Sequence, residues 1–127
     1  MSKEKFKILV VDDCSENVVL LTAILSRPEY EFLTSLYADD AFRTAVAESP
    51  DLVVLDIGLP GVDGFQLFQL MKDDPRTASI PVIFVTSYDD PDVVDRAMNM
   101  GAADFIGKPI EAEDVRARVE RVLKPSA

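Results

Sequence analysis

The chain has 127 residues, the length of one domain, and its 48% hydrophobic and 28% charged residues are typical of a globular protein with one sizeable core. Its formal net charge of −10 disfavours direct binding to nucleic acid or to an anionic membrane surface. The single cysteine excludes an internal disulfide and favours a cytoplasmic location, and the lack of histidine excludes histidine-based acid–base chemistry and histidine-ligated zinc. The charged N-terminal residues match neither a signal peptide nor a membrane span, so no membrane association is expected.

The first strand and helix are predicted from an apolar run followed by a helical pattern. Residues 6–11 form a largely apolar segment that is typical of a buried strand, and the segment ends at Asp12 and Asp13. Ser15 is the expected N-cap of a helix over residues 17–26. The inward face of this helix is predicted to comprise Val18, Leu21 and Leu25.

A weaker strand and a second helix follow. Residues 30–37 are rich in β formers and alternate only weakly, which predicts a strand at the edge of a sheet. Asp39 or Asp40 is expected to begin a helix that runs to about Glu48, where residues 49–50 break it. The inward face of this helix is predicted to comprise Ala41, Phe42, Ala45 and Val46.

The most informative segment is an apolar run that leads directly into a carboxylate. Residues 52–55 predict a strand buried on both faces, and Asp56 stands at its C-terminal tip, where open parallel sheets bind their ligands. Glycine and proline then mark a tight loop over residues 58–64. A strongly apolar helix is predicted over residues 65–71.

Two more strand–helix units complete the chain. Residues 81–85 predict a buried strand that ends at Thr86, and Asp90 is the expected N-cap of a helix to about Met100, with Gly101 as its C′ residue. A short strand over residues 104–107 leads to Lys108, and a last helix begins at about Glu111. The inward face of the last helix is predicted to comprise Val115, Val119 and Val122.

This alternation of strands and helices predicts an α/β fold. Five strand–helix units without a linker indicate a parallel sheet with helices on both faces. We expect a flavodoxin-like, doubly wound (βα)5 domain with the strand order 2-1-3-4-5. The domain is expected to fill residues 1–127, with its core over about 6–123.

Polar side chains follow four of the predicted strands, and a parallel sheet would bring them to one edge. They are Asp12 and Asp13 after the first strand, Asp56 after the third, Thr86 after the fourth and Lys108 after the fifth. Clustered carboxylates repel one another unless a cation joins them, and oxygen ligands with room for water suit Mg²⁺. The lysine, the hydroxyl and Mg²⁺ would together bind a phosphoryl group, and Asp56 is a fair nucleophile for one.

Each of these residues also has an ordinary structural explanation when it is taken alone. Asp12 and Asp13 could cap a helix, Thr86 could bond the backbone at a strand end, and Lys108 could be a surface lysine. The coincidence of all of them at separate strand ends favours a functional site.

As a set, the motifs resemble the receiver domain of two-component response regulators over about residues 6–123. The matching segments are Leu9-Val10-Val11-Asp12-Asp13, Val54-Leu55-Asp56-Ile57-Gly58-Leu59-Pro60-Gly61-Val62-Asp63-Gly64, Val85-Thr86-Ser87 and Lys108-Pro109.

The resemblance implies a phosphorylation site and a metal site. Asp56 would accept a phosphoryl group from the phosphohistidine of a sensor histidine kinase or of a histidine phosphotransfer protein. Asp12, Asp13 and Asp56 would hold Mg²⁺ together with the backbone carbonyl of Gly58. The chain would catalyse only its own phosphorylation and dephosphorylation, and it is therefore not expected to be an enzyme for another substrate.

The resemblance also implies a switch and an output surface. Thr86 and Lys108 would bind the phosphoryl oxygens, Thr86 and the aromatic Phe105 would form the switch pair, and the Lys108–Pro109 peptide bond is expected to be cis. The surface over about residues 90–123 would then control a downstream effector protein or domain, and phosphorylation-dependent homodimers are a further expectation.

Three rival interpretations stay open on the residues alone. A flavin-binding electron carrier of the same fold would need a phosphate loop after the first strand, where this chain is acidic. A phosphatase with an aspartate nucleophile usually has two acids one residue apart, whereas Asp12 and Asp13 are adjacent. A receiver-like interaction module that is never phosphorylated would have lost residues at one or more strand ends.

Overall fold

The computed structural model of the chain describes residues 5–57, 64–87 and 91–123, and within them five strands alternate with five helices. The strands are β1 (Phe6–Val11), β2 (Tyr30–Ser35), β3 (Leu52–Asp56), β4 (Val82–Ser87) and β5 (Asp104–Lys108). The helices are α1 (Ser15–Leu25), α2 (Ala38–Glu48), α3 (Gly64–Asp73), α4 (Pro91–Asn99) and α5 (Ala112–Leu123). The parallel sheet has the order β2-β1-β3-β4-β5, which confirms the predicted flavodoxin-like fold and the edge position of β2.

The register of the sheet brings the carboxyl ends of its central strands together. Val11 on β1 pairs with Leu55 on β3, so the residues that follow them, Asp12 and Asp56, lie at the same level of the sheet. Asp56 in turn pairs with Val85 on β4, and Thr86 is the next residue along that strand. The strand ends that carry the predicted site residues therefore meet at one edge, as parallel pairing requires.

Alternate side chains of the strands supply two apolar layers. One layer contains Val53, Leu55 and Phe84 and packs against α2, α3 and α4. The other contains Val54, Val85 and Ile106 and packs against α1 and α5. All five residues of β3 are buried, because this strand is central and is covered on both faces.

The first helix begins differently from the prediction. Ser15 is the first residue of α1 and Cys14 is its N-cap, so the prediction that Ser15 caps the helix was wrong. The cause lies in Asp12, whose Oδ1 accepts a hydrogen bond from the backbone N–H of Cys14 at 2.9 Å and fixes the chain one residue earlier. The predicted buried face is confirmed, and it consists of Val18, Leu21 and Leu25.

The second helix also begins earlier than predicted. It starts at Ala38 with Tyr37 as its N-cap, rather than at Asp39 or Asp40, and β2 ends at Ser35. The hydroxyl of Ser35 donates to Oδ2 of Asp40 at 2.8 Å, so a hydrogen bond from the end of β2 to the first turn of the helix, rather than a side-chain cap, fixes the turn. The buried face consists of Ala38, Ala41 and Ala45, whereas Phe42 and Val46 are only half-buried.

The last two helices follow the predicted pattern with small differences. Gly101 ends α4 with a φ of 100°, as expected for a C′ glycine, and the N–H of Ala102 donates to the carbonyl of Ala97 at 3.1 Å. The proposed cap Asp90 lies outside the described residues. On α5 the buried residues are Val115, Val119 and Leu123. They recur every four residues, so the predicted inward Val122 lies at the margin of the buried stripe and is half-buried.

Each of the described helices is too short or too polar to span a lipid bilayer.

Candidate functional site

Three carboxylates converge where β1 and β3 end. One oxygen from each of Asp12, Asp13 and Asp56 lies within 4.8 Å of the other two. Asp12 and Asp56 are buried, with 1% and 7% of their surface exposed, while Asp13 faces solvent. The sequence predicted this convergence from the order of the strands alone.

Asp12 has an incompletely satisfied carboxylate. Its Oδ1 accepts the Cys14 N–H, but its buried Oδ2 has no hydrogen-bond partner among the residues that the structure describes. Burial raises the pKa of Asp12, the Cys14 N–H opposes that rise, and the negative charge of Asp56 adds to it. A buried carboxylate that lacks a partner for one oxygen is costly to ionise, so the site favours the arrival of a cation.

The donor set fits Mg²⁺. The donors are oxygens, and one of them, on Asp13, is open to solvent and leaves room for water ligands. The orphaned Oδ2 of Asp12 supplies an acceptor that the rest of the described protein leaves unused. The fourth ligand that the resemblance implies, the carbonyl of Gly58, lies outside the described residues.

A basic group and a hydroxyl complete the edge. Nζ of Lys108 lies 3.6 Å from Oδ2 of Asp56, and the lysine side chain is about one-third exposed (37%), so it can follow a group attached to Asp56. Thr86 is buried on β4, one residue beyond the residue that pairs with Asp56. The Lys108–Pro109 peptide bond is cis, which confirms that expectation. The structure therefore brings together the three predicted carboxylates and Lys108, with Thr86 on the neighbouring strand.

Gly64 is a close neighbour of the site that the sequence did not single out as functional. A β-carbon at this position would lie 2.7 Å from the carbonyl oxygen of Asp56 and 2.7 Å from the Cα of Ile57. The N–H of Gly64 donates to the carbonyl of Ile57 at 2.8 Å. The start of α3 is thus packed directly on the backbone that carries Asp56, and only glycine fits there. The sequence did hold a signal for this contact, because glycine is a poor helix former and yet stands at the predicted start of a helix.

The predicted switch ring lies at the outer edge of the sheet. Phe105 pairs with Phe84 and is half-buried on the edge strand β5. The guanidinium of Arg118 on α5 lies over this ring, with its carbon 4.8 Å from the ring centroid. Sequence reasoning did not identify Arg118, because its contact with Phe105 depends on the packing of α5 beside β5.

Comparisons with known proteins agree with this geometry. The profile of the response regulator receiver domain matches residues 8–120. The chain is 39% identical over 118 residues to the response regulator PleD from Caulobacter vibrioides, covering 93% of this chain but only 26% of PleD. It is 34% identical to the protein PilH from Pseudomonas aeruginosa, with 92% of this chain and 97% of PilH covered.

A solved structure shows the same fold at a similar level of identity. The receiver domain of NtrX from Brucella abortus superposes with a TM-score of 0.85 at 35% identity, covering 94% of this chain and 99% of that one. The chain spans only about a quarter of the length of PleD. The profile match and the likeness to the NtrX structure therefore concern one domain and not the whole of that relative. The chain belongs to the receiver domains of two-component response regulators.

Proposed function

We propose that this chain is a phosphorylation-dependent signalling switch in which Asp56 accepts a phosphoryl group. The donor is the phosphohistidine of a sensor histidine kinase or of a histidine phosphotransfer protein. The observation that carries the proposal is the position of the Asp56 carboxylate, which is buried at the tip of β3 between an acidic pair and a lysine ammonium 3.6 Å away. Family membership supports the same assignment.

The proposed reaction is an in-line transfer between two protein side chains. A carboxylate oxygen of Asp56 forms a bond to phosphorus while the bond from phosphorus to the donor imidazole breaks. The bonding electron pair returns to the imidazole nitrogen, and the product is an acyl phosphate on Asp56. Because Asp56 is slightly exposed at the strand tip, the donor can approach it from solvent.

The neighbouring residues control charge during the transfer. Asp12 and Asp13 would hold Mg²⁺ with Asp56, and the bound ion would neutralise the negative charge that accumulates on the phosphoryl oxygens. The ammonium of Lys108 offers a second positive charge to the same oxygens, and the hydroxyl of Thr86 offers a hydrogen bond. The ammonium and the hydroxyl must already be in position when the reaction begins, and the rigid ends of the strands hold them there.

The output of the switch is proposed to lie on α4, β5 and α5. Thr86 and Phe105 would transmit the state of Asp56 to this face, where a downstream effector protein or domain, or a second copy of the chain, would bind. The relatives PhoP of Bacillus subtilis and PhoB of Pseudomonas aeruginosa are named as transcriptional regulatory proteins, and the chain covers 49% and 51% of them. In each of these two relatives, about half of the protein lies outside the part that this chain matches, and that half has room for an effector domain. The proposed location is the cytoplasm, where such kinases present their phosphohistidine.

Phosphorylation with a small-molecule donor tests the proposal. The chain is treated with phosphoramidate or acetyl phosphate in the presence of Mg²⁺, and intact mass is measured before and after treatment with base. We expect one base-labile phosphoryl group on the wild type and none on Asp56→Asn. Asp51→Asn is the matched control, because Asp51 stands just before the opposite end of β3 and its carboxylate accepts the Lys7 N–H at 2.7 Å.

Two outcomes would contradict the proposal. A phosphoryl group on Asp56→Asn would show that another residue is the acceptor. Multiple turnover of a phosphomonoester by the wild type would indicate a phosphatase rather than a switch that acts only on itself.

A further inference from the structure

Arg118 connects the switch ring to a network of charges on α5. Its guanidinium carbon lies 4.8 Å from the centroid of the Phe105 ring, within the range of a cation–π contact. Its NH1 group is 2.6 Å from Oδ1 of Asp104, and its Nε is 2.9 Å from Oδ1 of Asp114. Two carboxylates thus fix the plane of the guanidinium that covers the ring.

Asp104 joins this network to the backbone of the switch residue itself. Asp104 is buried, and the same Oδ1 that pairs with Arg118 accepts the backbone N–H of Phe105 at 2.8 Å. Burial lowers the pKa of Arg118, but the carboxylates of Asp114 and Asp104 outweigh burial and leave that pKa above its ordinary value. The guanidinium therefore stays charged at every physiological pH.

The ring and the guanidinium come from opposite sides of the sheet. Ile106 packs in the apolar layer beneath α5, so strand alternation directs the preceding residue, Phe105, toward the other face, where Phe84 lies. Arg118 on α5 reaches the ring around β5, which is the last strand of the sheet. A contact of this kind requires the ring to lie at the outer edge rather than beneath the sheet.

We infer that Arg118 is a positioning residue that holds the Phe105 ring at the outer edge of β5 and thereby opposes the switch. This role rests on the proposed function, because it assumes that the ring moves inward when Asp56 carries a phosphoryl group. Inward movement of the ring would break its contact with the guanidinium. A partly exposed cation–π contact changes the ratio of two states by about two- to five-fold.

Fluorine NMR of the full chain can test this role. The protein is labelled with 4-fluorophenylalanine, and the resonance of Phe105 is assigned with Phe105→Leu. The first readout is the H2O/D2O isotope shift of that resonance without any ligand, which reports how much of the ring faces water. The second readout is the apparent affinity for beryllofluoride, a phosphoryl mimic. The variants are Arg118→Gln, Arg118→Lys and the control Arg121→Gln.

Arg121 is a suitable control because it shares one partner with Arg118. Its NH1 group lies 3.6 Å from Oδ2 of Asp104, and its side chain is 70% exposed. Removing the charge of Arg121 therefore alters the electrostatic potential at Asp104 but leaves the guanidinium of Arg118 over the Phe105 ring. We expect Arg121→Gln to match the wild type in both readouts.

In Arg118→Gln we expect a smaller isotope shift, since the released ring moves inward, and an affinity for beryllofluoride that is about two- to five-fold higher. If the ring did not move, loss of the covering guanidinium would expose it further and the isotope shift would increase, which would overturn the inference.

Arg118→Lys keeps a positive charge beside Asp104 but lacks the planar guanidinium that covers the ring. We therefore expect its isotope shift to be smaller, and its affinity for beryllofluoride higher, than in the wild type. Should Arg118→Gln fail to fold, an unchanged isotope shift in Arg118→Lys would overturn the inference.

Failure of the proposed function gives a different result. Wild type and Asp56→Asn would then bind beryllofluoride equally or not at all. The isotope shift of the unliganded variants would still decide whether Arg118 sets the position of the ring.

Discussion

Gly64 lies so close to Asp56 that a β-carbon on Gly64 would stand 2.7 Å from the backbone carbonyl oxygen of Asp56. The atom it would meet belongs to the backbone of a central strand, which cannot rotate away as a side chain can. The first residue of α3 and the last residue of β3 are therefore in direct contact. Helix α3 supports the backbone that presents the proposed phosphoryl acceptor.

Gly64→Ala is expected to displace this junction. Relief of the overlap requires a backbone shift, which we expect to lower the free energy of unfolding by about 1–3 kcal/mol. The same shift moves the Asp56 carboxylate relative to Lys108, so phosphorylation by phosphoramidate should become slower. Urea unfolding and the rate of phosphorylation, measured by intact mass, check the two effects.

Gly101→Ala is the matched control for that substitution. Gly101 has a φ of 100°, and apart from its two chain neighbours no atom of the described residues lies within 4 Å of its hypothetical β-carbon, so alanine there is strained but not obstructed. It should lower the free energy of unfolding by about 1–2 kcal/mol and leave the phosphorylation rate unchanged. A Gly64→Ala variant with the wild-type rate would show that the contact does not position Asp56.

Asp12→Asn is expected to stabilise the metal-free protein at neutral pH. The pKa of Asp12 is raised in the folded state, chiefly by burial, so the folded protein binds more protons than the unfolded one between the unfolded and folded pKa values. Wild-type stability therefore falls as the pH rises through that window. The amide keeps an acceptor for the Cys14 N–H but carries no charge, and we expect a gain of about 0.5–2 kcal/mol at pH 7.

The gain should shrink as the pH falls toward about 4, where the unfolded carboxyl group is also protonated. Urea unfolding in the presence of a chelator at pH 7 and near pH 4 measures both effects. Asp13→Asn is the comparison, since that carboxylate is exposed and should change stability less. If Asp12→Asn were less stable than the wild type at pH 7, the buried charge of the Asp12 carboxylate would not be destabilising the metal-free protein.

Asp13→Asn is expected to remove both Mg²⁺ binding and phosphorylation. A ligand that binds only the folded state stabilises it by mass action, so Mg²⁺ should raise the Tm of the wild type but not that of Asp13→Asn. Asp39→Asn, which changes an exposed aspartate on α2, should respond to Mg²⁺ as the wild type does. Normal phosphorylation of Asp13→Asn would mean that the metal has been assigned to the wrong residues.

Thr86→Ala is expected to separate phosphorylation from its output. The variant keeps Asp56, Lys108 and the acidic pair, so it should still be phosphorylated. It loses one charge-assisted hydrogen bond to the phosphoryl group, worth about 1.5–3 kcal/mol, or roughly one to two decades in the ratio of the two states. Amide chemical shifts with and without beryllofluoride should therefore change much less around residues 92–100 and Phe105.

The contrary result is a full wild-type pattern of shift changes in Thr86→Ala. It would show that the face formed by α4, β5 and α5 responds to Asp56 by another route. Intact mass after treatment with phosphoramidate provides the control, because it confirms that the variant accepts the phosphoryl group.

The sheet and the convergence of the site could be predicted because both depend on short-range patterns. Central strands are apolar on both faces, so residues 52–55 were recognisable without any knowledge of their neighbours. Parallel pairing then places every carboxyl end at one edge, which brings Asp12 beside Asp56 whatever the loops do. To predict that these side chains meet, the order of the strands in the sheet was the only long-range information needed.

The remaining details depend on individual hydrogen bonds and on the packing of one element against another. Helices α1 and α2 begin where Asp12 and Ser35 fix the preceding turns, and neither contact follows from capping preferences. The close approach of Gly64 to Asp56 requires the path of the chain between β3 and α3. Arg118 contacts Phe105 only because α5 packs beside the edge strand.

Helix α4 is attached to the sheet through few apolar atoms. Of its side chains, all of which the structure describes, Ala97 alone is fully buried, and the guanidinium of Arg96 lies 4.1 Å from the centroid of the Phe65 ring. Val93 is only half-buried where it packs against the same core. One alanine and part of one valine remove little apolar surface from water, so local unfolding of α4 costs far less than global unfolding. We expect the amide protons of α4 to exchange with solvent sooner than those of the sheet. A partner could therefore capture an undocked α4 while the strands that hold Asp56 stay folded.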